Sequence, residues 1–297
     1  MSVPTQAPIA APTIPGPDRS PRTPRFQLPA GACDCHAHLF GPQARYPFDP
    51  SRRYTPPDAT LSDYVQVLKA LGVSRGVLVQ PSVYMTDNRL ILDALGEQRF
   101  PLRAVVVCGP EVSDAELERM HALGVRGVRL NLRHAAGVSG DIAPRMAERI
   151  APFGWHLQFR INPDEFVTVG PIIEALPVDT VIDHMGQIPT AQGIDSAPFQ
   201  AILRLVEGGR CWVKLSAAYR MGTQPHPYPD VAPFARALVE ANPDRMVWAT
   251  DWPHTTLTKP MPNDGDLCDL LADWIPDEAT RHKVLVDNPA RLYGFTE

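Results

Sequence analysis

Short apolar, β-branched runs alternate along the chain with longer stretches in which apolar residues recur at helical spacing. The runs predict strands over 32–39, 76–80, 103–108, 127–132, 156–161, 180–183, 212–216 and 246–250. The intervening stretches carry helix start and stop signals. Ser113-Asp114-Ala115-Glu116 reads as a capping box before a helix over 117–123, with Gly124 as its stop. Asn162-Pro163-Asp164-Glu165 places a cap, a first-turn proline and early acids before a helix over 166–176, and Ile275-Pro276-Asp277-Glu278 repeats the device late in the chain. About eight strand–helix units within one domain, 29–297, predict an α/β fold, a distorted (β/α)8 TIM barrel. A doubly wound open sheet is the alternative. No Gly-x-Gly-x-x-Gly follows the first strand, which weakens a nucleotide-binding version of that sheet.

Residues 1 to about 28 break the pattern. They are rich in proline, which interrupts both helices and ladders, and read as a disordered or extended leader lying against the domain. The leader lacks a basic start followed by an apolar core, so it is not a secretory signal. The 297 residues are 44% hydrophobic and 21% charged with a formal net charge of -5, and no basic run is present, which argues against a nucleic-acid partner. No apolar stretch approaches the roughly 18 residues of a membrane span. The odd set Cys33, Cys35, Cys108, Cys211 and Cys268 sits in apolar surroundings and fits free thiols in a reducing compartment, the cytoplasm, better than a disulfide framework or a thiolate metal site. A monomer or homodimer is expected.

Candidate chemistry gathers where the predicted strands end, the face on which barrel enzymes build their sites. In Cys33-Asp34-Cys35-His36-Ala37-His38, strict alternation puts Asp34, His36 and His38 on one face and the cysteines on the other. Paired imidazoles on an apolar strand fit a ligand or acid/base role better than packing. Arg129 and Asn131, Gln158 and Arg160, and Lys214 and Ser216 alternate inward in the same way. The sixth strand ends Asp183-His184-Met185-Gly186 and the eighth ends Thr250-Asp251-Trp252-Pro253-His254. A lone strand-end arginine is ordinarily solvated or ion-paired. Several arginines converging with a carboxylate and histidines point to an anionic ligand, because the planar guanidinium matches carboxylate oxygens. Asp251, at the end of an apolar strand, reads as a general base acting on water.

Taken in order, Asp34-x-His36-x-His38, Asp183-His184-Met185-Gly186 and Thr250-Asp251-Trp252-Pro253-His254 resemble the amidohydrolase superfamily. Within it they resemble the branch that contains 2-pyrone-4,6-dicarboxylate lactonase and other lactone-processing hydrolases. Phe40-Gly41-Pro42, Tyr46-Pro47-Phe48, Gln80 through Asp87-Asn88, and Asn288-Pro289-Ala290-Arg291-Leu292-Tyr293 extend the similarity from about Pro29 to Tyr293. The resemblance implies a distorted (β/α)8 barrel and water attack on a small anionic lactone. Asp251 would be the base, and His36, His38 and His184 would polarise the carbonyl and hold the oxyanion. Tyr54, Ser82, Arg129 and Arg220 would bind substrate carboxylates, with Arg133, Arg160, Gln187 and His254 nearby. This chain departs from the branch at Gln187, where the lactonase has arginine, at Arg160, where it has tyrosine, and at Ala135, where it has arginine. A related carboxylated, sulfonated or sugar-acid lactone is therefore expected rather than pyrone dicarboxylate. A binuclear metal centre is not expected, since the fourth and fifth strands offer Arg129, Gln158 and Arg160. The resemblance implies chemistry without a metal, or a single Zn2+ or Mn2+ on His36, His38 and Asp251, with His184 at hand. Metal-dependent decarboxylation, lactone isomerisation and a non-enzymatic binding role remain alternatives.

Overall fold

The computed structural model describes residues 11–132, 142–257 and 260–296. Eight strands, β1 (Cys33–Ala37), β2 (Arg75–Val79), β3 (Leu102–Val106), β4 (Val125–Asn131), β5 (His156–Arg160), β6 (Thr180–Ile182), β7 (Cys211–Leu215) and β8 (Met246–Trp248), form one parallel sheet in sequential order. Helices follow them on the outside, among them α1 (Leu61–Leu71), α2 (Arg89–Gly96), α3 (Asp114–Leu123), α4 (Ala143–Ile150), α5 (Phe166–Ala175), α6 (Ala197–Glu207), α7 (Ala218–Met221), α8 (Ala232–Ala241), α9 (Asp264–Trp274), α10 (Glu278–His282) and α11 (Asn288–Tyr293). This is the (β/α)8 barrel. Its strands are buried on both faces, so they read as nearly continuous apolar runs.

The barrel closes irregularly between β8 and β1. The seam is made just past β8, by Asp251 N–H to His36 O at 3.0 Å and His38 N–H to Trp252 O at 2.8 Å. Asp34 completes it by accepting from Thr250 N–H at 2.9 Å and from the Thr250 hydroxyl at 2.6 Å. Strict alternation fails here. Between the pairs Asp34↔Gly76 and Ala37↔Leu78 the register shifts, because β1 spends one more residue than β2. A bulge of this kind re-aims the side chains beyond it. Cys33 and Cys35 pack inside the barrel with Val77, Val79, Val105, Val181, Trp212 and Val247. Asp34 lies on the outer face, bonded to the Tyr64 hydroxyl of α1 at 2.9 Å. Only after the bulge do His36 and His38 both aim inward.

Helix starts differ in detail from the expected caps. Ser113 accepts from Glu116 N–H as a cap should, but the Glu116 side chain pairs with Arg119 instead of closing the box. A full capping box belongs to Thr60 and Asp63 at α1. Asn162 makes no side-chain cap, and a single 3-10 turn, Pro163–Glu165, leads into α5. Asp277 does cap α10, accepting from Thr280 N–H at 2.8 Å. The Asn288–Tyr293 motif is structural: the Asn288 amide donates to Pro243 O and Met246 O, and Leu292 and Tyr293 plug the barrel end opposite the site.

Residues 11–28 run extended over the surface. Thr13 bridges Thr55, with Ile14 N–H to Thr55 O at 3.1 Å and Thr55 N–H to Pro12 O at 2.7 Å. Arg22 pairs with Asp266 at 2.7 Å, and Arg25 with Asp269 and Asp273, so the segment ties the Tyr54 loop to α9. The five cysteines are buried and free. Among the described residues no helix is long and apolar enough to cross a membrane.

Candidate active site

A cavity of about 210 Å³ opens at the C-terminal ends of the strands. It gathers His38, Tyr54, Ser82, Arg129, Arg160, His184, Gln187, Arg220 and Asp251 from seven different strand ends and loops. Two of the expected residues that the structure describes are not in its wall. His36 lies one layer below, fully buried. His254 sits behind Asp251, with Nδ1 at 3.0 Å from the Tyr219 hydroxyl and Nε2 at 3.1 Å from Asp264, so it supports the loop rather than lining the cavity. Arg133, with Ala135, lies outside the described residues. The wall also holds Arg53, Thr255 and Thr256, which sequence reasoning missed. Arg53 directly precedes Tyr54, and a search for cations beside candidate ligand residues would have found it.

The local backbone is shaped to aim these groups. After β6, His184, Met185, Gly186 and Gln187 all take positive φ, at 55°, 51°, 71° and 52°. Ala217, Asp251, His254 and Thr256 do so at 56°, 63°, 59° and 59°. Non-glycine residues in this region cost roughly 1–3 kcal/mol each and persist only where the surroundings impose them, typically at functional sites. A Cβ on Gly186 would run into Ile202 and Phe166, so the run needs glycine at that point.

Asp251 is the centre of the constellation. Its Oδ2 accepts from the Tyr219 hydroxyl at 2.6 Å and from Arg220 Nε at 2.9 Å. Its Oδ1 is left facing His184 Nε2 at 3.5 Å and His36 Nε2 at 3.8 Å. Burial disfavours the carboxylate, but His184 and Arg220 beside it more than compensate, and the group stays ionised well below its ordinary range. Burial also keeps the imidazoles neutral. It lowers His184 to about 4 and His38, helped by Arg129, to about 3. Burial and the Lys214 ammonium push His36 well down. Arg220 is therefore the full positive charge in contact with Asp251.

Below the floor, Asp183 accepts from Arg129 Nη2 at 3.0 Å and Gln158 Nε2 at 2.8 Å, and lies 3.6 Å from Lys214 Nζ. Burial opposes its charge, yet His36, Arg129 and Lys214 hold it well below the usual carboxylate range. Arg129 is thus half structural: it lines the cavity while its guanidinium is held by a buried anion.

His36, His184 and Asp251 each offer a ligand atom, all within 4.8 Å of one another. Two neutral imidazoles and a carboxylate oxygen are a donor set that fits a single divalent ion such as Zn2+ or Mn2+. The third vertex is His184 where the sequence points to His38. His38 Nδ1 is 2.7 Å from Val79 O, and its Nε2 meets His36 Nε2 at 3.3 Å.

A family model described as amidohydrolase matches residues 33–295. A 4-sulfomuconolactone hydrolase of Hydrogenophaga intermedia is 37% identical over 295 residues, covering 97% of each chain. A 2-pyrone-4,6-dicarboxylate hydrolase of Comamonas testosteroni is 39% identical over 285 residues, covering 92% of this chain and 93% of the other. An apo crystal structure from Agrobacterium tumefaciens superposes with a TM-score of 0.83 at 29% identity, covering 92% of this chain and 99% of that one.

Proposed function

The chain belongs to the amidohydrolase family, and from that premise we propose that it opens a small anionic lactone by attack of water. One observation carries the reading: a carboxylate oxygen, Asp251 Oδ1, faces neutral imidazoles at the floor of a cavity walled by Arg53, Arg129, Arg160 and Arg220. The cavity volume suits one substituted ring. The relatives named above act on lactones bearing sulfonate or carboxylate groups. Gln187 and Arg160, which replace an arginine and a tyrosine of the lactonase pattern, favour a differently placed anion, such as a sulfonated or sugar-acid lactone.

Asp251 Oδ1 takes a proton from water as its oxygen attacks the lactone carbonyl carbon. With the Ser216 hydroxyl donating to His184 Nδ1 at 2.8 Å, His184 presents Nε2–H to the developing oxyanion. The ring C–O bond then breaks, and the proton on Asp251 passes to the departing oxygen. His38, whose Nδ1–H is spent on Val79 O, sets its Nε2 against His36 Nε2 at 3.3 Å and so holds that ring in place beneath Asp251. The low pKa of Asp251 makes it a weak base, so position rather than basicity supplies the advantage, which suits a good leaving group. A divalent metal, when bound at His36, His184 and Asp251, would lower the pKa of water towards about 7.

The test is a panel of carboxylated, sulfonated and sugar-acid lactones followed by proton release and NMR of products. One proton released and one water consumed per ring opened is the expected result. A rearranged lactone without proton release would replace hydrolysis by isomerisation, and no turnover of any lactone would end the reading.

The pH dependence follows from the same groups. With Asp251 ionised and the imidazoles neutral, kcat/KM is expected to be flat on the acid side down to about pH 5 and to fall as His184 takes a proton near 4. Stability has the same sign. The unfolded histidines protonate near 6.5 while the folded ones resist until about 4 or 3, so stability present above pH 6.5 is lost as pH falls through that window. An acid limb centred near pH 6.5 would show a working imidazole that titrates normally.

A further inference from the structure

Lys214 is fully buried under the floor, out of reach of substrate. Its Nζ faces three acceptors: Gln158 Oε1 at 2.8 Å, His36 Nδ1 at 3.1 Å and Asp183 Oδ1 at 3.6 Å. An ammonium has three protons and nothing to accept with, so this arrangement matches it. The hydrogens of the neighbouring rings follow from their heavy-atom partners. A carbonyl oxygen only accepts, so His38 Nδ1, at 2.7 Å from Val79 O, carries its hydrogen and His38 Nε2 is bare. His36 Nε2 is 3.3 Å from that bare nitrogen and must be the donor between them. His36 Nδ1 is then bare, which is what Lys214 requires. The donors run one way, from Lys214 through His36 and His38 to the β2 backbone.

We propose that Lys214 is a positioning residue that fixes His36 in its Nε2–H tautomer, making the floor of the site a hydrogen-bond donor rather than a metal ligand. A rival partner stands next to it. Asp183 Oδ1 is 3.2 Å from the same His36 Nδ1. If Asp183 held that nitrogen, His36 would carry Nδ1–H and turn a bare Nε2 toward Asp251 Oδ1 and His184. That is the usual state of a metal-binding imidazole, which backs onto a carboxylate or carbonyl. Lys214 and Asp183 thus compete for one ring nitrogen, and the winner selects between two kinds of site. The inference rests on the reading that His36 and Asp251 belong to the reaction centre.

The experiment uses the full chain, stripped of metal and labelled with 15N-histidine. Two-bond 1H–15N correlation spectra at neutral pH report each tautomer, and His36→Gln identifies the His36 signals by their loss. The wild type is expected to show His36 as Nε2–H. Lys214→Met is expected to switch it to Nδ1–H and to raise Zn2+ affinity at least tenfold in competition with a chromophoric chelator. A wild-type His36 in the Nδ1–H form overturns the proposal, as does a folded Lys214→Met protein with unchanged tautomer and zinc affinity. If Lys214→Met does not fold, the wild-type spectrum alone decides. Failure of the lactone panel leaves this result standing, and a wrong tautomer leaves lactone hydrolysis standing, so the two readings fail separately.

Discussion

Asp251→Asn is expected to lower kcat/KM on any lactone the protein opens by about 10²–10⁴-fold, the range that a positioned base contributes. The amide keeps the shape of the side chain and can still meet Tyr219 and Arg220, but it cannot take the proton of water. The Arg220 guanidinium loses its anionic partner, so some stability goes too. Circular dichroism and a melting curve separate that loss from the chemical one. KM is expected to change little, because the anion-binding wall is intact. A variant that keeps its rate within about tenfold would remove Asp251 as the base.

Asp183→Asn is expected to damage the fold more than any single change at the cavity wall. The carboxylate is 2% exposed and is the anion that faces both Arg129 and Lys214. Breaking a buried ion pair by removing one partner costs about 3–5 kcal/mol, because the remaining charges are left in a medium that solvates them poorly. For a domain of this size the melting temperature should fall by about 10 °C. Scanning calorimetry of the two proteins measures it. An unchanged melting temperature would mean that Arg129 and Lys214 do not depend on Asp183 for their charge balance.

The barrel was readable because most strand residues are apolar and buried on both faces, and because the polar residues that line the cavity fall at or beyond the strands' C-terminal ends. That clustering also exposed Asp251, His184 and most of the arginine-bearing wall. Alternation misled at β1, since a bulge inserts a residue without altering the character of the run, and Asp34 was placed on the wrong face. His254 looked like a ligand residue because it follows Asp251 so closely, but the left-handed turn at Asp251 sends it behind the cavity. The sign of φ has no hydrophobic signature, and Gly186 alone hinted at the turn after β6. The network of Asp183 and Lys214 depends on which side chains meet across the barrel, and linear spacing does not encode that.

The proline-rich segment before β1 gives the pocket an unusual dependence. Thr55, next to Tyr54, takes its strand partner from residues 12–14, whereas the matched family span begins at residue 33. One side of the cavity wall is therefore braced from outside that span. A fragment trimmed to the barrel would leave Thr55 without these backbone partners and lose definition at one side of the cavity entrance.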